Sequence, residues 1–205
     1  MLHWRKEYFE TLRDLARAAR TVPEWADYAT FCELQERGLR KNALKILDHF
    51  ASSLSAKAFP DRRLFVSWLL QELDGREGRH LAIPQPLQIR LVEPTLLEWT
   101  LEEPECYEPH LWLGGYDRIR RAHALAPKNE RVIRKLIVGI LSRVGHSTHE
   151  LPAGYLGEPN NDLVELKEAE SLLCGLSNAD DRALLFVDIS EERNLILEYL
   201  RNQKL

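Results

Sequence analysis

His146, His149 and Glu150 fall within the six-residue stretch "GHSTHE", and their types invite a metal reading. Zinc-dependent hydrolysis needs H-E-x-x-H or H-x-x-E-H on a helix, so that two ligands and a base share one face. The order here is H-x-x-H-E, which is neither. A histidine at a helix C-terminus also interacts favourably with the helix dipole and needs no ion. The expectation is no metal at this cluster. Covalent catalysis has no anchor either. No G-x-S-x-G is present, and Cys32, Cys106 and Cys174 are widely spaced without C-x-x-C pairing. "LPAGYLGEPNND" carries glycines but not the G-x-x-x-x-G-K-[ST] order that cradles phosphate. The reading is therefore no catalytic residue, no cofactor and no enzyme. The competing enzyme reading requires a deep polar pocket holding His146, His149 and nearby carboxylates.

The sharpest charge feature lies just upstream. Between Asp117 and Arg143 stand Arg118, Arg120, Arg121, Lys128, Arg131, Arg134, Lys135 and Arg143 against Asp117 and Glu130, a net of 8 − 2 = +6. The preceding stretch, Glu93 to Glu108, holds six glutamates and no base. Adjacent antiparallel helices with these charges would neutralise each other, through surface pairs worth roughly 0–1 kcal/mol each. Whatever basic surface is left over is the candidate binding site, with Arg120, Arg121, Arg131, Arg134 and Lys135 as its members. The expected partner is another protein with an acidic surface. Nucleic acid bound through residues 118–143 is the alternative. Net charge −4 and a pI near 6.0 argue against general nucleic-acid binding but leave a local patch open.

These residues need elements to hold them. Apolar positions recur at helical spacing along nearly the whole chain of 205 residues. Trp4, Tyr8, Leu12, Leu15, Ala16 and Ala19 share one face. "TVPEW" predicts a helix start, with Thr21 as cap and Glu24 completing a capping box. Gly38 ends that helix, and the next buries Leu39, Ala43, Ile46, Leu47, Phe50 and Leu54. Pro60 opens the fourth. "DGREGRHLAIPQP" predicts a loop or hinge. Short pieces follow between prolines, at 86–92, 94–103 and 107–113, with "LQIRLV" read as helix because no partner strand exists. Helices are then predicted from Tyr116, over 129–144, after a capping box at Asp162 and Glu165, and after Asn178. Residues 145–161 form a long loop, packed down through Tyr155. Trp4, Trp25, Trp68 and Trp99 read as core, and Trp112 as the exception. The fold class is all-α, in antiparallel helical hairpins. The division expected is a bundle at 1–74, a loop at 75–86 and a helical region at 87–205, unless the whole is one continuous domain. No apolar run spans a bilayer and no secretory leader is recognisable, so no membrane partner and a cytoplasmic location are expected.

"WLGGYDRIRRAHALAPKN" resembles a tetratricopeptide repeat. The resemblance implies that Leu113 and Gly114 let two helices approach closely and that Tyr116 opens the second helix. It also makes Ala122 and Ala124 the small residues at the crossing and Pro127 the break before the next unit. It covers about forty residues, with Trp112 out of register and no third copy, so the array is degenerate. It implies a right-handed helical array with a concave, partner-binding surface.

Overall fold

The computed structural model describes residues 5–203, and every regular element among them is helical. Trp4 lies outside the described residues. The all-α expectation holds, and no strand occurs among the described residues. The chain forms two compact units, Met1–Pro104 and Glu105–Leu205.

In the first unit α1 (Lys6–Ala19), α2 (Ala26–Glu36) and α3 (Arg40–Ser55) are followed by α4 (Phe59–Glu72), α5 (Arg79–Ala82), α6 (Gln85–Leu87) and α7 (Glu93–Glu102). Cross-links Arg13–Glu36 and Arg20–Glu33 show α1 and α2 running antiparallel. The core is aromatic. Tyr28 is fully buried, with Phe31, Phe50, Phe65 and Trp68 around it at ring separations of 5.6, 5.7, 5.1 and 6.1 Å. Edge-to-face and tilted geometries of this kind add to the stabilisation from burial.

Three local expectations change. Thr21 caps nothing: its hydroxyl donates back to the Ala18 carbonyl, and a 3-10 turn at Pro23–Trp25 leads into α2 without a side-chain cap. Leu39 is exposed at the start of α3 and not on its buried face. The segment 75–86 is not a hinge between units. It lies inside the first unit, where Thr11 donates to the Glu77 carbonyl, Arg76 meets Asp14, and Tyr28 donates to the Ala82 carbonyl.

The prolines at 86 and 94 do not separate helices. α6 runs through a π-helical stretch, Gln88–Val92, directly into α7. A proline inside a helix removes one N–H and presses on the carbonyl four residues back. For Pro94 that carbonyl belongs to Arg90, and it accepts a hydrogen bond from the Ser55 hydroxyl at 3.1 Å. The wider π turn accommodates the ring, and the freed acceptor is satisfied from α3.

The second unit contains α8 (Glu108–Leu113), α9 (Tyr116–Leu125), α10 (Glu130–Thr148), α11 (Pro159–Leu172) and α12 (Ala179–Asn202). α10 is central: Ile133, Leu136, Ile137, Ile140 and Val144 pack with Leu166 and Ala169 of α11 and Leu185, Ile189 and Ile196 of α12. Leu111, Ala122 and Val132 form a smaller cluster under α8 and α9. Asn129 and Asn178 cap α10 and α12, accepting from Val132 and from Asp180 and Asp181 respectively. Asp162 does not cap. α11 begins earlier, at Pro159, and Asp162 is a buried residue of its first turn. α10 also runs one turn past the predicted end.

The Gly114–Gly115 pair serves the backbone and not close packing. Both have positive φ, 68° and 81°, yet nothing lies within 4 Å of where a Cβ would stand at either. With ψ of −167°, Gly114 occupies a region essentially closed to other residues. Gly114→Ala is expected to lower stability by about 1–3 kcal/mol in urea titration through strain. An unchanged midpoint would show that the turn relaxes.

Candidate functional site

The basic stretch is distributed over α9 and α10, and the structure sorts its members by what they face. Arg120 lies over the Tyr116 ring, guanidinium carbon 4.9 Å from the centroid, and donates to Glu168 at 2.8 Å. The Glu168 hydrogen bond is the largest cause holding the Arg120 pKa above its ordinary value. Arg143 flanks the same ring at 5.1 Å and donates to Glu165 at 2.9 Å. Arg134 meets Asp181 through two hydrogen bonds, at 2.7 and 3.1 Å. These three arginines tie α9 and α10 to α11 and α12.

The acids that meet them were not foreseen from the Glu93–Glu108 stretch. Two members of that run are answered inside the first unit, where Glu98 pairs with Arg62 and Glu103 with Arg63. Among its members Glu105, in the second unit, pairs with Arg121 at 3.6 Å and is highly exposed. Adjacency in the chain does not settle these pairs, since α7 and α9 belong to different units.

Two further bases, Arg131 and Lys135, meet at Trp112. Its ring is buried, with the Arg131 guanidinium 3.9 Å from the centroid and the Lys135 ammonium 5.0 Å away. Cations over an indole face gain from the ring quadrupole. α8 brings Trp112, and one turn of α10 separates Arg131 from Lys135, so both reach the same ring. Arg118, Arg121 and Lys128 are exposed. Arg118 and Lys128 form no ion pair among the described residues. His110 registers the resulting field: burial lowers its pKa first, and Arg121 and then Arg118 lower it further. Trp112 is thus a buried core residue and not the exception that its place before the Gly-Gly turn suggests, and a cation covers its ring as Arg63 covers that of Trp99.

The histidine cluster lies at the end of α10. The His146 and His149 rings stack at 5.1 Å, and His149 contacts Glu150 at 3.0 Å. Among the described residues, no group of three or more His, Cys, Asp or Glu is placed to hold a metal. Beside them an open cleft of about 610 Å³ is lined by Arg143, His146, Ser147, Asp162 and Glu165 among others. Two of its carboxylates, Asp162 and Glu165, are engaged, Glu165 by Arg143. Asp162 accepts from the Tyr155 hydroxyl at 2.6 Å and lies 3.5 Å from Arg143. Ser147 donates to the Arg143 carbonyl at 3.4 Å. Burial, then the Asp162 hydrogen bond, raises the Tyr155 pKa. Tyr155 also stacks on Tyr199 at 5.3 Å, so the loop is fastened to both α11 and α12. This is the packed loop expected from its aromatic content.

No known family model matches the chain, and comparison with curated proteins and with solved structures likewise gives no match. No helix among the described residues is long and apolar enough to cross a membrane.

Proposed function

We propose that the second unit is a protein-binding module without chemistry of its own, and that it docks an acidic segment of another protein. The observation that carries this reading is the cationic surface around α8, α9 and the first turns of α10. Arg118, Arg121 and Lys128 are exposed there beside Arg131 and Lys135. Two acids of this part of the chain are accounted for, Glu105 pairing with Arg121 at 3.6 Å and Glu130 lying elsewhere. Glu130 is turned to Ser177, whose N–H and hydroxyl donate to it and lower its pKa. Arg120 and Arg134 border this surface while holding Glu168 and Asp181. An acidic chain meeting such a surface gains in encounter rate and orientation more than in raw affinity.

The helical-array reading belongs to the same proposal. It is supported by Tyr116 opening α9, by Ala122 buried in the cluster with Leu111 and Val132, and by the break at Ala126–Pro127 before α10. Nucleic acid is the rival ligand, and no arrangement of exposed aromatic rings offers bases a stacking platform here.

Titration with poly-glutamate and with a single-stranded oligonucleotide of equal charge, at several salt concentrations, separates the two. Poly-glutamate is expected to bind. The triple variant Arg118→Glu, Arg121→Glu, Lys128→Glu should weaken it about tenfold or more at unchanged helix content. Binding of the oligonucleotide alone, with a steep log-linear salt dependence, would move the assignment to nucleic acid. Insensitivity of both ligands to the triple change would remove the site.

A further inference from the structure

His110 stands on α8 between two buried residues, Pro109 and Leu111, and is itself half-buried. The Gly114–Gly115 turn folds α9 back onto α8, with Leu111 and Ala122 in one cluster. Arg118 and Arg121 lie one turn apart on α9, so they share a face, and both are exposed. Both bear on the imidazole. Burial, then Arg121, then Arg118 hold the His110 pKa below its ordinary value, so the ring is neutral in the free protein at neutral pH. Arg121 also meets Glu105 of the preceding turn at 3.6 Å, in an exposed pair that water screens. The bases of α10, Arg131 and Lys135, lie over Trp112. Trp112 is two residues on from His110 and therefore on the opposite side of α8.

We propose that His110 couples docking to pH: the acidic segment binds with uptake of a proton by this imidazole, and is held more tightly in mildly acid surroundings. The proposal rests on the reading of α8 and α9 as a docking surface for an acidic chain. Carboxylates laid against Arg118 and Arg121 cancel the positive field that disfavours the imidazolium and put a negative one in its place. Occupied, His110 is the stronger base. A protein that takes up protons on binding a ligand binds that ligand more tightly as pH falls. The gain is complete below the pKa of the free ring and is lost as pH rises through the higher pKa of the occupied one. Its source is a third cation beside the two arginines, present when the segment is there to meet it.

The test follows poly-glutamate binding to the full chain from pH 8 to pH 6, a range in which glutamate carboxylates stay ionised. The wild type is expected to bind about threefold or more tightly at the acid end. His110→Gln should bind with an affinity nearly flat in pH. His146→Gln, a change at the far end of α10, should keep the wild-type slope. A purely structural role for His110 would displace the whole curve and leave its slope. Proton NMR of the free protein supplies a second readout: the His110 titration should move to higher pH in the double variant Arg118→Gln, Arg121→Gln. A wild-type affinity indifferent to pH, or a His110→Gln slope equal to the wild type's, overturns the coupling and leaves the docking surface standing. A His110 titration unmoved by the double change overturns it as well. Absence of any poly-glutamate binding removes the docking surface, and the coupling with it.

Discussion

Replacing Trp99 with alanine is expected to destabilise the first unit by about 3–5 kcal/mol, a large share of the roughly 5–15 kcal/mol that holds a typical domain folded. Trp99 is among the largest side chains fully buried in the molecule, 1% exposed on α7. Its loss removes the apolar burial of an indole and leaves a cavity that the surrounding helices can only partly close. Two further contacts are also lost. The ring N–H donates to Glu103 at 2.9 Å, and the Arg63 guanidinium lies over the ring at 4.6 Å while pairing with that same glutamate. Trp99→Phe keeps much of the volume and the cation–ring contact but loses the N–H donor, so a smaller loss is expected. Urea titrations of the two variants check the ranking. Equal midpoints for Trp99→Ala and the wild type would mean that α7 is not part of the cooperative core.

Alkaline pH is the second strong lever, through Tyr28 and Cys32. Both are fully buried on α2. Burial pushes the Cys32 thiol up to about 12 from an ordinary 9.0, the Tyr28 hydroxyl offsetting part of that shift by its hydrogen bond. Tyr28 is raised well above its ordinary value, by burial first and then by the neighbouring Cys32. The folded state therefore keeps both protons to a higher pH than the unfolded chain does. The stabilisation is fully present below about pH 9 and is lost as pH rises toward about 12, where the folded thiol itself ionises. A shift of about three units, at roughly 1.36 kcal/mol per unit, makes the Cys32 part worth on the order of 4 kcal/mol. Denaturant midpoints measured from pH 8 to pH 11 should fall steeply for the wild type. They should fall less steeply for Cys32→Ala, which retains only the Tyr28 part. Parallel curves for the two proteins would refute a role for the thiol. Below pH 9, Cys32 should resist thiol reagents, while the exposed Cys174 reacts.

Much of the fold is legible in the chain because it rests on local rules. The apolar faces of α1, α3 and α10 follow from spacing. Asn129 and Asn178 were recognisable caps because a short acceptor beside a free N–H has few better options. Thr21 and Asp162 had the same local credentials. They failed because Thr21 found the Ala18 carbonyl and because tertiary partners, Tyr155 and Arg143, claimed Asp162. Prolines 86 and 94 were read as breaks because the rule for proline is local. The donor that satisfies the Arg90 carbonyl and lets the helix pass Pro94 comes from Ser55, thirty-nine positions before that proline.

The site shows the same limit. The sequence by itself determined that the protein is helical and that a basic stretch follows an acidic one. Periodicity and charge count are properties of short windows. Only the tertiary structure decided which bases meet which acids. It set Arg120, Arg134 and Arg143 against acids of α11 and α12, gave Glu98 and Glu103 to Arg62 and Arg63, and placed Arg131 and Lys135 over the Trp112 ring. It also decided that Gly114 serves its own backbone and not a neighbouring helix. The physical reason is common to all of these. An ion pair or a ring contact acts over a few ångströms, and the helices that come that close are chosen by how their apolar faces pack and not by their order along the chain.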